Sequence, residues 1–237
     1  MLQFALAWFM WSRGFHKTYP VFFTYILFEA VKELTLYALD VIPSASAESF
    51  WQVFFGGLVI EGLLKFAVIG EVFSRVFRPY AALGDLSAKI IRWSGAVLVL
   101  SATVIATRAP MDNTYRLIPA SHILSQTIYI ITCGLLVLLF LVAAYFRLTL
   151  RNISSGIALG LGISACFHLA TWAISANGGL LEKRVLLDFL NMTTYHACVL
   201  IWIYYFVVPP KAAASSPVLP AHNLDLWNRE LERLLQQ

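Results

Sequence analysis

The sequence predicts an all-α fold, a polytopic bundle of about seven transmembrane helices with the N-terminus outside and the C-terminus in the cytoplasm. Three observations predict it. Charged residues are only 13% of the 237 and hydrophobic residues 59%, with a mean hydropathy of +0.74, whereas a soluble domain carries about 25% charge. Apolar runs of membrane-crossing length recur along the whole chain, so any chemistry lies between helices or in short loops. Connections rich and poor in Lys and Arg alternate, as the two sides of a membrane require.

The first element is MLQFALAWFMWS, an apolar run that spans about half of a 30 Å hydrocarbon core. A cleavable signal would have a basic start and a small-residue exit site, and this run goes directly to Ser12-Arg13-Gly14, so a short or truncated first helix is favoured over a signal core or an interfacial helix. Six full-length spans follow: Val21–Leu39, Phe50–Phe73, Ile91–Ala106, Ile118–Tyr145, Ile153–Ala176 and Val185–Val208. Each approaches or exceeds the roughly 20 residues a crossing helix needs. Tyr19-Pro20, Ile42-Pro43-Ser44, Arg78-Pro79, Ala109-Pro110 and Asn177-Gly178-Gly179 punctuate the connections. Residues 1–208 thus form the transmembrane domain. A Pro/Ala/Ser-rich linker, 209–222, precedes an amphipathic helix over 223–237.

Orientation comes from the loops. Arg13, Lys17, Arg75, Arg78, Lys89, Arg92, Arg147, Arg151, Lys211, Arg229 and Arg233 fall on one side, against Arg108, Arg116, Lys183 and Arg184 on the other. The richer side is assigned to the cytoplasm of a bacterial cell with a multi-pass inner-membrane protein. The net charge of +4 is therefore a topology signal, and no basic run is long enough to neutralise several phosphates, which excludes nucleic acid as a partner. Cys133, Cys166 and Cys198 all fall inside spans and read as small buried hydrophobes.

Five ionisable side chains stand where lipid is expected: Glu29, Lys32 and Glu33 in the second apolar segment, Glu61 and Lys65 in the third. A charge near the centre of a spanning helix costs roughly 2.5–3.5 kcal/mol on insertion scales, so such residues face a partner or a polar cavity. Glu29 and Glu33 share a helical face, as do Glu61 and Lys65. With a short link between the two spans, the helical rise brings Lys32 and Glu61 to similar depth. Three readings remain open: an ion-pair network that fixes helix register, a site for a cation, a proton or a cationic ligand, or side chains, Lys65 above all, that snorkel to the membrane surface. The carboxylates outnumber the ammonium groups by one.

A secondary polar site is expected at His168 and His196 on the last two spans. Two histidines without a carboxylate at ligand spacing read as hydrogen-bonded core or ligand contacts, and neither metal nor haem is expected there. Gly156 and Gly160 make a small-xxx-small face for close helix packing. Glu71 and Arg75 pair at i,i+4, with Phe73, Phe77 and Tyr80 as interfacial aromatics. In the tail, Leu224, Trp227, Leu231 and Leu234 line one face, to dock either on the protein's own cytoplasmic face or on a membrane or cytoplasmic protein partner.

The run from Tyr19-Pro20-Val-Phe-Phe-Thr-Tyr through Glu71-Val-Phe-Ser-Arg-Val-Phe-Arg-Pro-Tyr80, with the closing Trp227-Asn-Arg-Glu-Leu, resembles a group of small uncharacterised bacterial integral membrane proteins with about seven helices. That resemblance implies a fold and supplies no catalytic residues. The inferred topology is also similar to the membrane sensor regions of some bacterial histidine kinases, without a kinase domain here. A retinal protein is excluded, because the final span has no interior lysine for a Schiff base. The expected function is a non-enzymatic sensor or accessory subunit surrounded by membrane lipid; the alternative is a proton- or cation-coupled transporter using Glu29, Glu33 and Glu61.

Overall fold

The computed structural model describes residues 2–42, 46–77, 81–108, 114–145, 153–176 and 184–208, together with Arg229, Glu232 and Arg233. Among these residues there are eight helices and no strand: α1 (Leu2–Ser12), α2 (Phe15–Thr18), α3 (Pro20–Val41), α4 (Ala47–Val76), α5 (Ala81–Arg108), α6 (Thr114–Tyr145), α7 (Ile153–Ala176) and α8 (Arg184–Val207). Ala47–Val76, Ala120–Tyr145 and Ile153–Ile174 are long and apolar enough to cross a membrane. Large apolar side chains cover the outside of the bundle, among them Trp8, Trp93, Leu100 and Leu141, the pattern of a protein whose outer face meets lipid rather than water.

Local chemistry sets the helix ends. Gly14 adopts φ 73°, a left-handed conformation that favours glycine, and separates α1 from α2. Pro20 opens α3, where its missing N–H is no loss. Ser46 caps α4 by accepting from the Ser49 backbone N–H at 3.1 Å. At the far end of α4, the Glu71 carboxylate accepts from the Phe22 N–H at 3.0 Å and the Val21 N–H at 3.4 Å. It thereby caps the start of the antiparallel α3 with a negative charge at the positive end of that helix. Arg75 lies 3.7 Å from Glu71 and places its guanidinium 4.3 Å from the centre of the Tyr19 ring, and Tyr19 Oη pairs with Ser154 Oγ at 3.1 Å. This end of the bundle ties α3, α4 and α7 together.

Helix α4 is central, packing against α3, α5, α6 and α7, while α7 packs on α8, and α1 bridges α3 and α8. The core is aromatic where α3 meets α8: fully buried Trp202 stands edge-on to Phe22, 5.2 Å away, and to Tyr25, 6.5 Å away. Glycines set the closest approaches. A Cβ on Gly160 would strike the Trp202 indole, and one on Gly156 the Tyr205 ring, so α7 and α8 touch across the face that carries these two residues.

Several expectations are corrected. Helix α5 starts ten positions before the expected Ile91, at Ala81, because backbone hydrogen bonding continues through turns that carry Asp85 and Lys89, whereas hydropathy marks only the apolar part. Only Cys198 is fully buried; Cys133 is half-buried and Cys166 exposed, since a helix apolar all round does not reveal which face turns outward. Phe73 and Phe77 are core residues, 5.4 Å apart, rather than interfacial anchors, because α4 is packed among α3, α5, α6 and α7. Tyr80 lies outside the described residues, as do Leu224, Trp227, Leu231 and Leu234 of the tail; Arg229, Glu232 and Arg233 are helical and exposed.

Candidate functional site

A cavity of about 360 Å³ opens between α3, α4, α6, α7 and α8. Helix α3 contributes Glu29, Lys32 and Glu33; α4 contributes Phe54, Leu58, Glu61 and Lys65. Ser125 and Tyr129 of α6 form another wall, with Ser164, Phe167 and His168 of α7 beside it. Asn191, Met192, Thr194, Tyr195 and His196 of α8 complete the lining. On α4 and α8 these residues run from near the helix start to its middle, and on α3 and α7 from the middle toward the end. The cavity therefore sits in the half of the bundle opposite the Glu71–Arg75 cluster.

Its charged wall is a continuous chain. Lys32 Nζ donates to both carboxylate oxygens of Glu29, at 3.1 and 3.0 Å, and to Glu61 Oε2 at 2.5 Å. The other Glu61 oxygen accepts from Lys65 Nζ at 2.5 Å. All donor capacity of the Lys32 ammonium is thus engaged. Lys65 Nζ also lies 4.4 Å from the centre of the Tyr129 ring, and that ring is stacked on His168 at 4.1 Å with planes 27° apart. Glu29, Glu61 and Lys65 are buried, which makes mutual neutralisation obligatory in a low-dielectric interior.

Glycine makes the crossing possible. A Cβ on Gly57 would sit 3.1 and 3.2 Å from Cδ and Cγ of Lys32, so the lysine stem reaches Glu61 over a face of α4 that lacks a side chain. Gly62 plays the same part on the opposite face, where a Cβ would meet Ile128 and Leu98 at 2.8 Å.

Glu33 departs from the expected arrangement. It lines the cavity but is exposed, and it joins no ion pair among the described residues. Four residues along an α-helix is about 40° more than one full turn, which carries Glu33 away from the Glu29–Lys32–Glu61 line toward the open part of the cavity.

The two histidines come to the same cavity on different terms. His196 Nδ1 lies 2.8 Å from the Met192 carbonyl, and a carbonyl only accepts, so Nδ1 carries a proton. The His168 backbone carbonyl accepts from Thr171 Oγ1 at 2.9 Å, and the same hydroxyl is 3.1 Å from Asn191 Oδ1, joining α7 to α8 beside the cavity. Among the described residues, no three His, Cys, Asp or Glu side chains gather as a metal set.

Sequence reasoning missed Tyr129 and Tyr195. Tyr129 follows Ser125-Gln126-Thr127, a polar interruption in an apolar span that signals an inward face. The Tyr195 hydroxyl accepts from Gln3 Nε2 at 3.1 Å, a contact between α8 and the first helix that no local spacing announces.

Among the described residues, fold and site define an all-helical bundle that has helices long and apolar enough to cross a membrane and a polar cavity between them. No protein-family description, curated protein or solved structure matches the chain.

Proposed function

We propose that the chain is a multi-pass protein of the bacterial inner membrane, with about seven spans, that works as a non-enzymatic sensor or accessory subunit by taking a small ligand into its polar cavity. The observation that carries this reading is that five helices direct both polar clusters, Glu29–Lys65 and His168/His196, into a single space of about 360 Å³, within the size range of small-molecule sites. With the Arg75 end placed in the cytoplasm by the basic loops, the cavity belongs to the outer half of the membrane. A ligand from outside would then alter the packing of α3 on α4 and α8, and the C-terminal amphipathic helix would relay this to a protein partner.

Transport by the buried carboxylates is the weaker reading. Glu29 and Glu61 are each held by lysine, and a carrier that bound and released a proton or cation there would have to break those pairs in each cycle.

Native mass spectrometry of the full chain, extracted from membranes in mild detergent, tests the proposal. The wild type should retain a small-molecule adduct that Ser164→Trp, which fills the cavity, loses while its melting midpoint stays unchanged. Absence of any adduct from the wild type, or its persistence in the filled variant, counts against ligand binding at this place. Cation-driven flux in liposomes that Glu61→Gln abolishes, in protein whose tryptophan fluorescence shows it still folded, would instead establish the transporter.

A further inference from the structure

The charge balance of the cavity carries a specific ligand chemistry, which rests on the ligand-binding reading above. Lys32 and Lys65 are matched by Glu29 and Glu61 in one chain of contacts. Glu33 is left as the surplus carboxylate, on the cavity wall and outside that chain. Among the described lining residues both lysines are engaged, because the Lys32 donors are spent on carboxylates and Lys65 is held between Glu61 and the Tyr129 ring. The remaining wall supplies ring surface and small polar groups: Phe54, Phe167 and Tyr195, with Thr194 and Asn191. Tyr129 lies between Lys65 and His168, and Phe54, Phe167 and Tyr195 are further rings on the wall.

From this geometry we infer that the cavity takes a small organic monocation, an ammonium group on an apolar or aromatic body, with Glu33 as its counter-ion and Tyr195, Phe54 and Phe167 around the body. A carboxylate accepting from an ammonium fixes the charged end, and aromatic faces favour cations through their quadrupoles. A zwitterion is disfavoured, since both lysines among the described lining residues are already paired with carboxylates.

The test uses the full chain in lipid nanodiscs at neutral pH and three probes of nearly equal shape: 2-phenylethylammonium, 2-phenylethanol and phenylacetate, titrated calorimetrically. The ammonium should bind most tightly. Glu33→Gln, an exposed substitution, should weaken it about 10- to 100-fold, the effect of losing one hydrogen bond to a charged group, and leave the alcohol unchanged. Glu33→Asp should retain most of the affinity. If the alcohol binds as tightly as the ammonium, or Glu33→Gln leaves the ammonium affinity intact while Ser164→Trp abolishes binding, the cation assignment is overturned and the cavity stands as a ligand site. If no probe binds and the chain carries no native adduct, assignment and site fall together.

Discussion

Replacing Glu61 with Gln removes the one carboxylate that touches both lysines, and the consequence follows from what each lysine keeps. Lys32 retains both oxygens of Glu29, at 3.0 and 3.1 Å. Lys65, only 5% exposed, retains no carboxylate among its described contacts, only the Tyr129 ring. At the 2.5 Å separation of Lys65 and Glu61, Coulomb attraction at an effective dielectric of about 20 is about 7 kcal/mol, most of which offsets desolvation of the two ions. The net worth of the intact pair is therefore small, but stranding one member is not: breaking a buried pair costs about 3–5 kcal/mol. Glu61→Gln should lose that amount of unfolding free energy, measured by titrating the protein in mixed micelles with sodium dodecyl sulfate and following tryptophan fluorescence. Glu61→Gln with Lys65→Met removes both charges and leaves Glu29–Lys32 balanced, so it should return to within about 1 kcal/mol of wild type. A single variant within about 0.5 kcal/mol of wild type, or a double variant no more stable than the single, would refute the ion-pair chain as drawn.

The other predictions concern packing. Gly160→Ala drives a methyl group into the Trp202 indole and should destabilise by about 1–3 kcal/mol, whereas Gly134→Ala, with nothing within 4 Å of the new Cβ, should be neutral or stabilising by up to about 1 kcal/mol; equal melting midpoints would contradict the α7–α8 contact. The Cys133 and Cys166 sulfurs are 3.8 Å apart, so a membrane-permeant oxidant such as diamide should join α6 to α7 by an intramolecular disulfide; mass spectrometry of the digest should find that peptide pair and none containing Cys198. Glu71→Ala, which uncaps Val21 and Phe22, should cost about 0.5–2 kcal/mol. Arg75→Ala should cost less by ion-pair loss alone, because its nearest contact to Glu71 is 3.7 Å and its side chain is about one-third exposed; the same micelle titration ranks the two.

Parts of this arrangement were legible in the sequence because they depend on local rules. The apolar length of α4, α6 and α7 is countable, and the Lys32–Glu61 approach follows from helical rise and the short connection after Ile42. What lay beyond local rules is the order of helices around the bundle. Periodicity puts His168 and His196 on helices but does not say that α7 and α8 turn them toward the same space as Glu61. The same blindness hid Cys133 against Cys166, since neither helix has an apolar–polar asymmetry strong enough to say which way those residues turn. Glu33 illustrates a finer limit: sharing a face with Glu29 at one-turn spacing still allows about 40° of rotation, enough to separate a paired carboxylate from an unpaired one. Gly57 carried a usable signal, because a glycine facing a long charged side chain at similar depth marks where that side chain crosses.

The most direct measurement is an electron cryomicroscopy map of the full chain in lipid nanodiscs prepared from its native membrane, with bound small molecules retained. Ligand binding predicts non-protein density in the cavity, in contact with Glu33 and Tyr195 and beside an intact Glu29–Lys32–Glu61–Lys65 chain. A map in which α3 and α8 close on each other, with side chains filling the space around an undisturbed ion-pair chain, would contradict it and leave that chain as a structural element alone.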